Sequence, residues 1–435
     1  MIIRITAIRS MFANENPKEN MMTTNPKKGL IVFISDCIRW SLSGGVVFYI
    51  YLAVLLALMG AGIYAYGRQF QEGLSITGMS DIVSWGLYIS NFTFFVGVAA
   101  AAVMLILPAY IYKDKDFHEV VIIGESVAVG ALVMCLLFIT VDMGGPIKVW
   151  HMIPGIGLFN WPSSILTWDV LVLNGYLALN TLVPLYILYS NYHNREPVGW
   201  KYRPFVFLSI FWAVSIHMVT AFLYQGLPAR PFWNNPLLGP RFLASAFAAG
   251  PAVIMMVLIA IKERTSYTID SAIFLKLKRI IVVAAVINLV MLFSEVFKEF
   301  YTFTHHSLAA QYLFFGLEGH NSLVPWIWTA IALNITGTLL FAFDPTKGNP
   351  RYLMVAAASL FAGIWIEKGF GLIIPGFVPS PMGEVVDYTP SSFEIFITLG
   401  VLAAGMLVVT LLIKPALVIL PRYKEGHLEP ETASL

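Results

Sequence analysis

The chain has 435 residues, 58% hydrophobic and only 12% charged, with a mean hydropathy of +0.76. Soluble domains carry roughly a quarter of charged residues, so a soluble enzyme or a nucleic-acid-binding module is excluded and an integral membrane protein is indicated. The net charge of +2 points to no nucleic-acid partner, because the basic residues serve membrane topology.

Residues 1–43 form a polar, basic arm without the short apolar core and small-residue cleavage site of a removable signal. Within it, Gly29–Leu42, with Arg39 near its end, is either a helix lying along the inner membrane interface or a solvated tail. Ten apolar runs follow, near 45–67, 83–112, 119–141, 164–190, 203–224, 241–261, 280–301, 322–343, 350–373 and 393–417. Each is about 20 residues long, enough for a helix to cross a hydrocarbon core of ~30 Å. The fold class predicted is all-α and polytopic, with 44–417 a single transmembrane domain and 418–435 a tail. Ten crossings put both termini on one side, and 21 of the 27 Lys and Arg residues fall there. Cytoplasmic loops are the basic ones, so both termini are expected in the cytoplasm of a multi-pass protein of the cytoplasmic membrane.

The two cysteines, Cys37 and Cys135, form no CxxC or CxxCH spacing, so neither an iron–sulfur cluster nor attached haem is expected. Of the histidines, His118, His151, His193, His305, His306, His320 and His427 fall in loops or at ends, and His217 alone lies well inside a span. No haem b and no metal site is therefore expected, and any electron traffic needs a diffusible organic carrier. No phosphate-binding loop is present to imply an ATP-driven step.

Ionisable groups inside a membrane are costly and mark working sites. Here they are lopsided. Tyr88 and Asn91 on the second span, Asp142 at the end of the third and Asp169 on the fourth lie near the outer face, as do Tyr224, Arg241, Glu295, Lys298, Glu299, Glu367 and Lys368. Glu125 instead lies ~9 Å in from the cytoplasmic end of the third span. Helical spacing puts Asp169, Tyr176 and Asn180 on one stripe, His217, Thr220 and Tyr224 on a second, and Asn288, Glu295 and Glu299 on a third. Asn180, Asn288 and Thr220 have a bland alternative as interhelical hydrogen-bonders. His217 is either a proton relay or another such bond, and Glu367–Lys368 either a working pair or a local ion pair. Two outer segments, DMGGPIKVWHMIPGIGLFNWPSS from Asp142 and QGLPARPFWNNPLLGPR from Gln225, are too apolar for aqueous loops. They are either an aromatic belt or a roof under a partner protein. Such a roof over acidic groups suits a quinol, which needs apolar walls, hydrogen-bond partners for two oxygens and a base. Asp169, His151 and Asp142 are the candidate bases, and Tyr88 and Asn91 candidate ligands of a ring oxygen.

Four segments, WGLYISNFTFFVGVAAA from Trp85, CLLFITVDMGGP from Cys135, TWDVLVLNGY from Thr167 and LPARPFWNNPLLGPRFLASAFAAGP from Leu227, resemble the NrfD/PsrC family of haem-free quinol-interacting membrane subunits. They resemble most the DsrP branch, part of the membrane complex associated with dissimilatory sulfite reduction, and the related archaeal Hdr-like menaquinol-oxidising complex. The resemblance covers roughly residues 80–400 and leaves out the N-terminal arm. It implies two four-helix bundles, about 83–224 and 241–373, with flanking helices. It also implies a menaquinone site in the first bundle near the outer face, beside an extracytoplasmic ferredoxin-like iron–sulfur subunit, in a complex that includes cytochrome b, cytochrome c and cytoplasmic iron–sulfur subunits. His151, Asp169 and Tyr176 join Tyr88 and Asn91 as cofactor-binding candidates, and Glu125, Asn180, His217, Glu295 and Glu367 form the expected proton path.

The leading expectation is a subunit of a quinol-oxidising or quinone-reducing enzyme linked to sulfite or sulfate reduction, not catalytic alone. A secondary transporter or proton-conducting module would break helices at the midplane, and Gly250-Pro251 is the one clear break in sequence. A purely structural anchor would use its carboxylates only to hold helices.

Overall fold

A chain in hydrocarbon must satisfy every backbone N–H and C=O internally, and the apolar runs do so as helices. The computed structural model describes residues 29–301 and 307–428, without the side chains of 424–428. Residues 1–28 of the arm, His305, His306, the His427 side chain and residues 429–435 of the tail lie outside the described residues. In chain order the helices are α1 (Leu30–Leu42), α2 (Val46–Glu72), α3 (Leu87–Ile111), α4 (Lys115–Asp142), α5 (Ile165–Tyr192), α6 (Gly199–Gln225), α7 (Leu238–Arg264), α8 (Ser271–Tyr301), α9 (Leu308–Phe314), α10 (Val324–Ala342), α11 (Pro350–Lys368), α12 (Phe370–Ile373) and α13 (Ser392–Leu428). Ten are long and apolar enough to cross a membrane, which makes the protein an all-α polytopic membrane protein as the composition predicts.

The centre is built from α3, α4 and α7, the most buried helices. α3 packs on α4 and α7, α5 on α6, α7 on α8 and α11, and α10 on α11. At the edge, α13 packs along α2. Their crossing is set by Gly62 and Gly400, since a Cβ on Gly62 would stand 2.8 Å from the Gly400 Cα. Two helix starts are capped by side chains: Asp114 accepts from the Asp116 N–H at 3.0 Å, and Asn349 from the Arg351 N–H at 3.0 Å, with Pro350 in the first turn. Lys276 of α8 spans to Asp114 and Asp116, at 2.5 and 2.8 Å, and clamps the α4 start.

α3 is not a uniform helix. Its α-helical start, Leu87–Ala99, tightens to a 3-10 turn at Ala100–Ala102 and widens to a π turn at Leu107–Ile111 around Pro108. The 3-10 turn lies against Gly250 of α7, where a Cβ would be 3.0 Å from the Ala101 Cα and would overlap the Ala101 side chain. The break expected at Gly250-Pro251 does not form, since α7 runs unbroken from Leu238 to Arg264 with Pro251 inside it; the irregular turn lies instead on α3 at Ala100–Ala102, where no Gly or Pro announces it.

α1 is a helix docked by Phe33, whose ring meets Tyr189 and Tyr192 edge-on at 5.2 Å each, and by Ser41, which donates to the Leu411 carbonyl at 2.7 Å. It leaves Leu30, Ile31, Ile34 and Ile38 exposed, as an interfacial helix would.

On the side opposite the termini, Asp387 gathers Tyr312 (3.1 Å), Ser322 (2.6 Å) and His320 (3.0 Å), tying the 374–391 segment to the 307–323 turn. Burial raises the Asp387 carboxyl, but hydrogen bonds from Ser322, His320 and Tyr312 outweigh it and hold the group below the usual carboxylate range. A depressed folded value stabilises the fold fully above the unfolded pKa of ~3.9, and that contribution is lost as pH falls through the folded value. Amide exchange across 374–391 is thus expected to quicken on acidification below about pH 4, and in Asp387→Asn to be fast already at pH 7. Gly62→Val is expected to lower the stability of the solubilised protein by about 1–3 kcal/mol, the cost of overpacking a close contact, measured by thermal unfolding.

Candidate functional site

The stripes read from helical spacing all face inwards. Asp169, Tyr176 and Asn180 on α5, His217, Thr220 and Tyr224 on α6, and Asn288, Glu295 and Glu299 on α8 are each buried. On α5 and its neighbours they form a string across the first half of the protein. Glu125, buried in α4, lies within electrostatic reach of Tyr110 on α3 and Tyr176 on α5. One turn from Tyr176, the Asn180 amide donates to the Tyr176 carbonyl at 2.9 Å. Two turns the other way, ~10 Å along α5, Asp169 Oδ1 lies 3.0 Å from the Thr220 hydroxyl, whose single proton is shared between this oxygen and the Ile216 carbonyl at 2.7 Å. Beyond it Tyr224 shares a 2.5 Å hydrogen bond with Thr93 of α3.

Several atoms of this string have no protein partner: Glu125 Oε2, Asp169 Oδ2, Asn180 Oδ1, His217 Nε2 and, by hydrogen-bond geometry, the Tyr176 hydroxyl. Buried polar atoms are satisfied at a rate of about 90% or more; Ser90, Asn191, Asn288 and Thr398 also carry unpartnered atoms, and Tyr176 lies beside the Asn180 side chain, but Glu125 and Asp169 are carboxylates without a basic partner and so are free to bind water, ligand or proton. Asp169 divides its two oxygens, one anchored and one free.

The other predicted outer residues are used differently. The Tyr88 hydroxyl donates to Gln69 Oε1 at 2.7 Å, and Gln69 passes the bond to the Val141 carbonyl at 2.6 Å. Asn91 bridges the Leu87 carbonyl (2.8 Å) and the Trp365 indole (3.0 Å). Their polar groups are engaged in fastening α3 to α2, α4 and α11. Asp142 keeps one buried oxygen unpartnered, within electrostatic reach of Glu394 and Tyr88. His151 sits on a short 3-10 helix, Pro146–Met152, with its ring stacked on Trp150 at 3.8 Å and partly exposed. Among the described residues no hydrogen bond joins it to Asp169, Asp142 or Tyr88.

The two apolar outer segments also separate. In 225–241, Phe232, Trp233 and Asn235 are buried; Trp233 donates to the Leu372 carbonyl at 2.8 Å and stacks on Trp85 at 5.7 Å, while Trp85 meets Tyr224 edge-on at 5.9 Å. This aromatic cluster roofs the Asp169 end of the string. In 143–164, by contrast, Ile147, Ile156 and Leu158 are exposed by 72%, 69% and 78%. A shallow cleft of about 200 Å³ lies where this segment meets α2, between Gln69, Leu74 and Met143.

The second half holds a different arrangement. Arg241 of α7 pairs with Glu295 of α8 through one guanidinium nitrogen and with Glu367 of α11 through another, the latter at 2.7 Å. Asn334 of α10 donates to the second Glu367 oxygen, and Asn235 to Glu295 at 3.3 Å. Next to Glu367, Lys368 donates to the Phe242 carbonyl at 3.0 Å and lies within electrostatic reach of His217. Lys298 pairs with Glu299 at 3.0 Å. Arg241, Glu295, Glu299, Glu367 and Lys368 border an open cleft between α7, α8, α9 and α11. Among the described residues no group of three or more His, Cys, Asp or Glu has metal-binding geometry.

Sequence reasoning placed Glu295 and Glu367 on a path but missed Arg241 as their common partner. It also missed Gln69 and Glu394. Fully buried Glu394 accepts from the Gly78 and Ser391 N–H groups (2.6 and 2.8 Å) and from Tyr388 (2.6 Å), which in turn accepts from the Leu87 N–H at 2.7 Å and pins the start of α3. Only their apolar surroundings signalled them.

Comparison with known proteins places this architecture. The chain is 24% identical over 382 residues, 84% of its length and 93% of the relative's, to the Hdr-like menaquinol oxidoreductase integral membrane subunit of Archaeoglobus fulgidus. It is 26% identical to the protein NrfD of Escherichia coli, over 67% of this chain and 82% of that one. A shorter stretch, 27% of this chain and 28% of the relative, is 31% identical to the menaquinone reductase integral membrane subunit of Nitratidesulfovibrio vulgaris. The profile described as "Polysulphide reductase, NrfD" matches residues 75–379, taking in both halves of the polar system, and the chain belongs to the NrfD family.

Proposed function

We propose that the chain is the quinone-handling membrane subunit of a multi-subunit oxidoreductase, with menaquinol or menaquinone as the ligand of its first half. The observation that carries this reading is Asp169: a buried carboxylate in a family of such subunits, fixed by Thr220 through one oxygen and free at the other, beneath an aromatic roof. The donor set fits the group, since a quinol hydroxyl needs an acceptor and Asp169 Oδ2 is a buried carboxylate oxygen that the protein leaves unbonded. When bound, menaquinol supplies two electrons and two protons. Asp169 accepts a proton at Oδ2, while Thr220, beside Oδ1, orients the carboxylate through a proton it shares with the Ile216 carbonyl. Tyr88 and Asn91 act indirectly, by holding α3 against this site. Tyr176, Asn180 and Glu125 continue the string towards the side of the termini and carry protons along it. The acceptor of the electrons is, in this reading, an iron–sulfur subunit docked on the extracytoplasmic side, where the apolar 143–164 segment and His151 are exposed. A place in sulfite or sulfate reduction follows from the resemblance of the motifs to the DsrP branch.

Asp169→Asn in the assembled complex is expected to lower menaquinol oxidation by 10²-fold or more, the usual contribution of a positioned base, with the full set of subunits still eluting together on size-exclusion chromatography. Wild-type rates in that variant would remove Asp169 from the chemistry and favour the structural-anchor reading. Glu125→Gln separates proton release from proton supply. If the string conducts, the complex in liposomes loses the pH change on the termini side during turnover and slows about tenfold, a loss within the range of a proton-transfer residue; unchanged pH signals would confine proton exchange to the Asp169 end.

A further inference from the structure

The cleft in the second half is not explained by the chemistry assigned to Asp169. Its apolar walls include Phe232, Phe242, Phe314, Leu292 and Ile327, and Gly371 leaves room at its edge, where a Cβ would come within 3.3 Å of the Ile327 side chain. The space these side chains border is about 540 Å³ when the open solvent at its mouth is counted. Its polar groups are concentrated and almost wholly buried: Glu295, Glu299 and Lys368 are each 6% exposed and Glu367 is 3% exposed.

Lys368 distinguishes this cleft from a structural ion cluster. An ammonium has three donors and no acceptor. Here one proton goes to the Phe242 carbonyl, and the charge sits 4.0 Å above the Phe242 ring. Among the described residues no carboxylate lies within 4 Å of its Nζ, because Glu367 is turned to Arg241 and Asn334. Donor capacity therefore remains on a buried cation lining a mostly apolar space.

Charge decides what kind of ligand fits. Arg241 and Lys368 stand against Glu295, Glu367 and Glu299, and Lys298 balances Glu299 from outside the lining. The set is close to neutral without a ligand. An anionic phosphate would add a charge with no counter-charge in a low-dielectric site, a large cost. A neutral ring carbonyl would accept from Lys368 at no such cost and stack among the phenylalanines.

We infer that this cleft is a second binding site for a neutral, aromatic, carbonyl-bearing amphiphile of the quinone class, anchored by Lys368. The inference rests on the quinone reading of the protein but concerns a site separate from Asp169. The Arg241 cluster shapes the pocket, and Lys368 supplies the hydrogen bond to the ligand.

The test is photolabelling of the purified complex in nanodiscs with an azido-naphthoquinone, followed by peptide mapping. Labelling is expected on α5 or α6 peptides and, separately, on α7, α8 or α11 peptides, with both sets competed by excess menaquinone. Lys368→Met should cut the second set at least tenfold and leave the first unchanged. Leu292→Trp, which fills the cleft and touches no charge, should do the same and decides the matter if Lys368→Met fails to assemble. Labels confined to the first half, or second-half labels surviving in both variants, would overturn the inference while sparing the quinone reading; no labelling anywhere would overturn both. A diazirine phospholipid that labels the second set where the naphthoquinone does not would make the cleft a lipid site and refute the proposal.

Discussion

One guanidinium organises the outer end of the second half. Arg241 is the shared partner of Glu295 and Glu367, and with Asn334 and Asn235 the cluster links α7, α8, α10, α11 and the 225–237 segment. Charges at this depth are tolerated only when paired, and removing one partner from a buried pair typically costs about 3–5 kcal/mol. The planar fork of arginine meets two carboxylates at once, which a lysine ammonium cannot do with fixed geometry. With Glu367 held on one side of the α11 terminus, its neighbour Lys368 is turned away from the carboxylates and towards α7 and α3.

That direction joins the two halves. A Cβ on Gly97 of α3 would stand 3.7 Å from Lys368 Nζ, and His217 of α6 lies within electrostatic reach of the same ammonium. The wall between the halves is α3 against α7, where the Ala100–Ala102 turn meets Gly250. Tight and widened turns inside a helix often mark hinges or functional sites, and here both occur on α3, which places Thr93 against Tyr224 and Gly97 beside Lys368. A change of charge at either site acts on a common element, which is a physical requirement for coupling them.

Much of this was legible from residue spacing. Composition and run length identify the spans, because hydrocarbon imposes both length and helicity, and the three polar stripes face inwards because lipid excludes them. What spacing cannot carry is which helices are neighbours. Nothing near Arg241 in the chain points to Glu295 or Glu367, and nothing near Tyr88 to its bond with Gln69 or near Asn91 to its bond with Trp365. The irregular turn in α3 stayed hidden because alanine, the best helix former, occupies it; it lies against Gly250 of α7, a neighbour that no local residue announces. His151, attractive as a base on residue type, lies on an exposed turn stacked on Trp150.

The distribution of satisfied and unsatisfied groups then separates holding from working. A fully bonded network such as Gln69–Tyr88–Val141 or Gly78–Glu394–Tyr388–Leu87 is rigid and has little capacity left for exchange. A base needs the opposite: one contact to fix its orientation and one lone pair that the protein does not consume. Asp169 has this division, and Glu125, with a free oxygen and no charged partner, has it in weaker form. A purely structural anchor would gain nothing from leaving these oxygens unbonded, because each unpaired buried group costs about 1–3 kcal/mol or more. Unpartnered buried atoms also occur elsewhere, at Ser90, Asn191, Asn288, Asn334 and Thr398, but the unbonded carboxylate oxygens without a basic partner, on Glu125, Asp142 and Asp169, all lie in the first half. On the proposed quinone reading, these carboxylates move protons at a buried ligand of the first half, and the Arg241 cluster fixes the helices beside it.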